Sequence, residues 1–244
     1  MPDPGALAVV FLAVLTGAFV NALAGFGFAL TTVPLITLAI GPKQAVVVSA
    51  LVGFVSNSAV LVRNHEAVEK PQAKRLVAGA YLGMPVGVVV LSRIAEAPLQ
   101  VSIALVVLGV VALYGAGWTP GSPGPALEVL AGVASGALNT SVGISGPPVV
   151  LTLSGRGSSK AAFRATSVAV FAVTGVGALV LFGLAGRYGS SVLVAAAVAM
   201  PAIPAGIMVG ERVHLGVPEA RFRSIVLVLL ALTATVTLYN AVAG

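Results

Sequence analysis

Asn21-Ala22-Leu23-Ala24-Gly25-Phe26-Gly27 interrupts an apolar run that extends from 5 to 40. Far down the chain, Asn139-Thr140-Ser141-Val142-Gly143-Ile144-Ser145-Gly146-Pro147-Pro148 interrupts a second run, from 126 to 154. A single membrane span needs about 20 apolar residues. Both runs exceed that, and both break near their middle. Six further runs are of single-span length: 43–62, 74–92, 98–118, 161–184, 190–210 and 222–243.

Composition says what solvent these runs face. Hydrophobic residues make up 58% of the 244 positions and charged residues 8%, with a mean hydropathy of +1.09. A soluble domain carries roughly 25% charged residues. Water-facing surface cannot be made from this chain, so an all-α polytopic membrane protein is expected. The 29 glycines and 15 prolines fit that medium, where small residues pack helices closely. No basic region precedes the first run, so a cleaved signal peptide is not expected.

The two interruptions coincide at an offset of 118 residues: Asn21 falls on Asn139, Gly25 on Gly143 and Ser49 on Ser167. At 119, Pro85 falls on Pro204, Gly87 on Gly206 and Arg93 on Arg212. This ordered series predicts an internal duplication. Residues 1–118 form one membrane repeat, 119–125 a Pro/Gly-rich linker, and 126–244 a second repeat.

Loop charge chooses between two topologies. If each interrupted run crosses once as a kinked helix, Arg63, Lys70, Lys74, Arg75 and Arg187 share one side. Eight basic residues then lie opposite. If each run is a re-entrant, broken hairpin followed by three crossings, only Lys43, Arg93 and Arg187 lie on one side and ten on the other. The second, sharper bias favours inverted repeats in a plasma or inner membrane, with basic loops cytoplasmic and both termini outside. The net charge of +6 is absorbed by this asymmetry. No basic module suggests nucleic-acid binding.

Irregular backbone at membrane depth persists where it is buried or lines a cavity. Two such breaks predict a shared site, since half-helix N-termini with free N–H groups suit an anion. The candidate substrate-binding residues are Asn21, Gly25, Gly27, Thr31 and Asn57 from the first half. From the second come Asn139, Thr140, Ser141, Gly143, Ser145, Gly146, Arg164 and Ser167. Each has a plainer reading: glycines for helix packing, hydroxyls back-bonded to carbonyls, Asn57 gluing helices, and Arg164 snorkelling at a helix end. No Asp or Glu falls in the middle of a span, since Asp3, Glu66, Glu69, Glu96, Glu128, Glu211 and Glu219 are terminal or in loops, which argues against a cation site. His65 and His214 lack partners at metal-ligand spacing, and cysteine is absent. No metal, cofactor or catalytic constellation is expected, so an enzyme is not.

The Gly-rich breaks, each followed by a helix, and the Gly79, Gly83, Gly87 spacing resemble the TauE/SafE family of sulfite exporters, also called TSUP. The resemblance runs from Gly25-Phe26-Gly27 through Pro34 and Gly41 to Ser49. It recurs from Gly132 through Gly143 and Gly146-Pro147 to Ser167. The family commonly has a Gly-Gly pair where this chain has Gly27-Phe28, and Ser145-Gly146 stands in the comparable place of the second break. The resemblance implies transport of small sulfur-containing anions, sulfite or organosulfonates such as sulfoacetate. A secondary transporter working by alternating access is therefore expected, with export as the family-implied direction. An anion channel or a transport-inactive accessory subunit is the alternative.

Overall fold

A computed structural model describes residues 2–116, 121, 123–214, 228, 231, 232, 234–239 and 241. Much of the linker and most of the final apolar run, 222–243, lie outside the described residues, as do Glu219, Arg221, Arg223 and the side chain of His214. Everything regular among the described residues is helical: α1 (Pro4–Ala24), α2 (Phe28–Ile40), α3 (Pro42–Asn64), α4 (Lys70–Arg93), α5 (Glu96–Gly115), α6 (Pro125–Ser141), α7 (Gly146–Ser154), α8 (Lys160–Leu184), α9 (Ser190–Ala199) and α10 (Ala202–His214).

Local chemistry marks the helix starts. Proline occupies the first turn of α1, α3, α4, α6 and α7, where its missing N–H costs nothing. Asp3 accepts the Ala6 N–H at 2.9 Å, and Ser159 accepts the Ala162 N–H at 3.2 Å. Among the described residues, six helical stretches are long and apolar enough to cross a membrane: α1, α3, α4, α5, α8 and α9–α10 together. Large apolar side chains stay exposed on their outer faces, Leu82 at 70% and Leu184 at 82% among them. In water such patches would drive aggregation; against lipid they are the expected surface.

The run 190–210, expected as one span, is broken at Met200-Pro201 into α9 and α10. Pro201 has no N–H to offer Ala197 and its ring crowds that turn. Pro85, inside α4, is accommodated without interruption.

Helices meet through small residues. A Cβ at Gly79, Gly83 or Gly87 of α4 would collide with the carbonyls of Val129, Val133 and Ala137 on α6. From the other side, Gly132 and Gly136 sit on the carbonyls of Leu76 and Ala80. Gly206 and Gly210 of α10 press likewise on Leu15 and Phe19 of α1. The exchange is reciprocal: α1 of the first half packs on α10, and α6 of the second packs on α4. Between these pairs, α3 and α8 pack on each other.

Ion pairs tie helix ends together. Arg63, at the end of α3, meets Glu211 of α10 at 2.6 Å. Glu128, fully buried in the first turn of α6, bridges Arg75 of α4 and Arg156 beyond α7. Ser158 donates to Glu69 at 3.0 Å.

Candidate functional site

Both interrupted runs fold back on themselves. Gly17 of α1 lies against Phe28 and Thr32 of α2, where a Cβ would strike Thr32. In a continuous helix residues 17 and 32 would stand about 22 Å apart. The chain reverses through Gly25 (φ 75°) and Gly27 (φ 94°), left-handed conformations that suit glycine. In the second run Ser135 donates to the Ser145 carbonyl at 2.8 Å, and the reversal uses Gly143 (φ 76°). Gly25 and Gly143, matched by the 118-residue offset, share a left-handed φ. The returning arms are short: α2 has 13 residues and α7 has nine.

Each break then packs on the other half. Gly25 lies against the backbone and stem of Arg164 on α8. Gly143 lies against Val46 on α3, with Val46 Cα 3.3 Å from where a Cβ would stand. Val46 and Arg164 are themselves 118 residues apart, so the two contacts are one contact made twice.

A cavity of about 50 Å³ opens where both breaks meet α3 and α8. A buried water needs about 10–15 Å³ of such space, so a few waters or one small oxyanion fit. Seven sequence candidates line it: Asn21, Gly27, Asn57, Asn139, Gly143, Ser145 and Gly146. The other six lie outside its lining. Thr31 and Ser141 donate to the carbonyls of Gly27 and Ala137 in their own helices. Thr140 donates to Met84 of α4 at 2.6 Å, where it joins two helices. Gly25 and Arg164 form the contact between the first break and α8, and Ser167 is buried one turn further along α8.

Asn21 and its counterpart Asn139 differ. Asn21 is fully buried and donates to Ser56 Oγ and Asn57 Oδ1, both at 3.2 Å. Asn57 in turn donates to the Gly53 carbonyl at 2.8 Å. Asn57 thus serves both readings, joining α3 to α1 and facing the cavity. Asn139 and Ser145 make no side-chain hydrogen bond to the described residues, so their polar groups are open to a ligand. The first-turn residues of α2, Phe28, Ala29 and Leu30, border the cavity beneath an N-cap glycine without a side chain to satisfy them. At α7, Pro147 and Pro148 carry no N–H, which leaves Gly146 and Val149 as first-turn donors. The site is neutral, rich in donors and closed by apolar walls.

Of those walls, sequence reasoning singles out Phe28 alone. Four of the nine phenylalanines, Phe26, Phe28, Phe54 and Phe171, line the cavity. Phe28, bulky where the family pattern has glycine, finds room because Gly17 and Gly53 leave it space. Phe54 packs on Gly175 in the same way. Ser49 also lines the cavity, paired with Thr32 at 2.7 Å. For Phe26, Phe54 and Phe171 the sequence carries little signal, since an aromatic in an apolar run looks like any other lipid-facing residue.

No curated protein and no solved structure matches the chain. The family model described as sulfite exporter TauE/SafE matches residues 9–237. With that match over nearly its full length, and with its span-length helices, this membrane protein belongs to the sulfite exporter TauE/SafE family.

Proposed function

We propose that the chain is a secondary transporter that exports a small sulfur oxyanion, sulfite before larger organosulfonates, by alternating access around its two broken hairpins. Its family is one of transporters rather than enzymes. The observation that carries the finer reading is the cavity of about 50 Å³ at the meeting of both breaks, with Asn139 and Ser145 unpaired beside two uncapped helix starts. Neutral donors replace an anion's water shell without binding it too tightly to leave. Asn139, Ser145, the α2 start and the Gly146 N–H are the donors; Asn21 and Asn57 hold the frame; Gly27 and Gly143 let the backbone approach. The size favours a sulfite-sized ion, because organosulfonates need a longer pocket.

The helix-end ion pairs support inverted repeats with cytoplasmic basic loops and both termini outside. In eight simple crossings, Arg63 would lie across the bilayer from Glu211, and Arg156 across from Glu128. With hairpins, all of Arg63, Glu69, Arg75, Glu128, Arg156, Ser158 and Glu211 fall on one side. The twice-made contact of Gly25 with Arg164 and Gly143 with Val46 supports a two-fold relation between the halves. A membrane potential negative inside favours outward movement of an anion.

Purified protein in liposomes tests the proposal. Labelled sulfite should exchange against unlabelled sulfite on the opposite side and saturate. Ohmic single-channel currents without counterflow would replace the carrier with a channel, and absence of any sulfite-dependent flux would overturn transport altogether.

A further inference from the structure

Arg164 and Ser167 stand three residues apart on one face of α8. Arg164 is pinned from below: a Cβ at Gly25 would lie 2.6 Å from its Cγ and 2.7 Å from its Cα. Its Nε and Nη2 are buried and have no hydrogen-bond partner among the described residues. Ser167 is 0% exposed, and its Oγ has no partner either. Buried nitrogens and a buried hydroxyl one helical turn apart, with their donors unused, are costly to keep. Glu211 is the acidic group within electrostatic reach of Arg164, and it is already engaged with Arg63 at 2.6 Å.

The duplication shows how the vacancy of partners arose. In the first half the corresponding positions are Val46 and Ser49. Val46 is apolar, and Ser49 is satisfied by Thr32. In the second half Val46 becomes Arg164, and Thr32 becomes Val150, which offers Ser167 nothing. Two changes convert an ordinary seam into a cluster of idle donors. The two idle nitrogens of the guanidinium are also a specific pair. Nε and Nη2 form the side-on fork whose parallel N–H bonds match two oxygens of an oxyanion.

We propose that Arg164 and Ser167 form a second anion site, an outer station next to the central cavity, that takes the same class of small sulfur oxyanion. The fork holds two oxygens and Ser167 Oγ donates to the third. The inference rests on the transport reading above. The station adjoins the cavity by two leads. Asn21, one turn before Gly25, lines the cavity, and so does Phe171, one turn after Ser167. Phe26, which lines the cavity, meets Phe163, the residue before Arg164, edge to face with centroids 6.0 Å apart. The two sites differ in kind. The central one is neutral, whereas the outer one carries a full positive charge and draws the anion toward the hairpin.

Selenite, the heavier analogue of sulfite, locates both sites by its anomalous scattering in soaked crystals of the whole protein. Peaks are expected in the central cavity and beside Arg164 and Ser167. In liposomes, Arg164→Gln should raise the KM for sulfite about tenfold or more, the worth of charge-assisted hydrogen bonds, with the maximal rate little changed. Arg164→Lys should recover part of that loss. Ser167→Ala, which removes one buried oxygen, should raise KM by a smaller factor and keeps the test open if Arg164 variants do not fold. A purely structural role would lower Tm without moving KM, and that result overturns the outer station. A selenium peak at the cavity alone also overturns it and leaves the transport reading standing. No peak at either place, together with no flux in the parent protein, overturns the transport reading itself.

Discussion

Gly143 and Gly146 stand three residues apart in one break, yet they answer to different physics. Gly143 has φ 76°, and a Cβ there would press on Val33 at 3.0 Å. Any replacement meets strain of roughly 1–2 kcal/mol before it touches a ligand. Gly146 has ordinary helical backbone, and a Cβ there meets nothing within 4 Å because it faces the cavity. Gly146→Leu should therefore fold, insert and keep a Tm close to the parent's while losing sulfite binding by calorimetry. Retained affinity in this variant would remove the cavity from the transport pathway. Gly143→Leu should lose both binding and stability, and so cannot separate them. Asn139→Asp keeps the shape of the side chain but places a carboxylate beside the unsatisfied donors. Like charge repels in a low-dielectric cavity, so sulfite affinity should fall at least about tenfold at neutral pH. An unchanged dissociation constant would mean that Asn139 does not face the ion.

Helix pairs carry the next level of order. Without a hydrophobic drive between helices in lipid, α4 and α6 associate through backbone approach at Gly79, Gly83, Gly87, Gly132 and Gly136. Gly83→Leu drives a side chain into the Val133 carbonyl, an overpacking worth about 1–3 kcal/mol or more. Its Tm should drop clearly in detergent. Gly109→Ala on α5, where a Cβ meets nothing within 4 Å, is the control and should hold or slightly raise Tm. Equal Tm values for the two would show that the glycine seam is not what joins α4 to α6. One side of the seam is legible in the sequence, as the four-residue spacing of Gly79, Gly83 and Gly87; that Gly132 and Gly136 face it emerges only in three dimensions. The breaks were legible too, because Asn21-to-Gly27 and Asn139-to-Pro148 put polar and helix-breaking residues inside apolar runs. What those polar residues do was less so. Thr31, Thr140 and Ser141 look like ligands in a list of hydroxyls, but helix rotation aims them at carbonyls. Sequence does not reveal rotation where apolar residues surround the whole helix. Glu128 stands near the start of its apolar run in the sequence, and it is a terminal acid; that two guanidinium groups from distant segments pair with it emerges only in three dimensions.

At the scale of the molecule, each half completes the other. The first break sits on α8, the second on α3, and the outer helices cross-pair as α1 with α10 and α6 with α4. Each hairpin's tip is covered by a helix of the other half, so the halves should fold and move as a coupled pair. Whether they are inverted decides which loops face the cytoplasm, and this chain is suited to asking. It contains no cysteine, so a single introduced thiol reports one position without background. Three turns separate the topologies: Glu66 after α3, Ser158 between α7 and α8, and Ala185 after α8. With hairpins, Glu66 and Ser158 share a side and Ala185 lies opposite. With eight simple crossings, Glu66 and Ala185 share a side and Ser158 lies opposite. Whole cells carrying Glu66→Cys, Ser158→Cys or Ala185→Cys are treated with a membrane-impermeant maleimide. Only the Ala185→Cys protein should react from outside. The other two should react once the membrane is permeabilised. Joint labelling of Glu66→Cys and Ala185→Cys would turn the second half over, and the cytoplasmic ion-pair cluster would have to be abandoned with it.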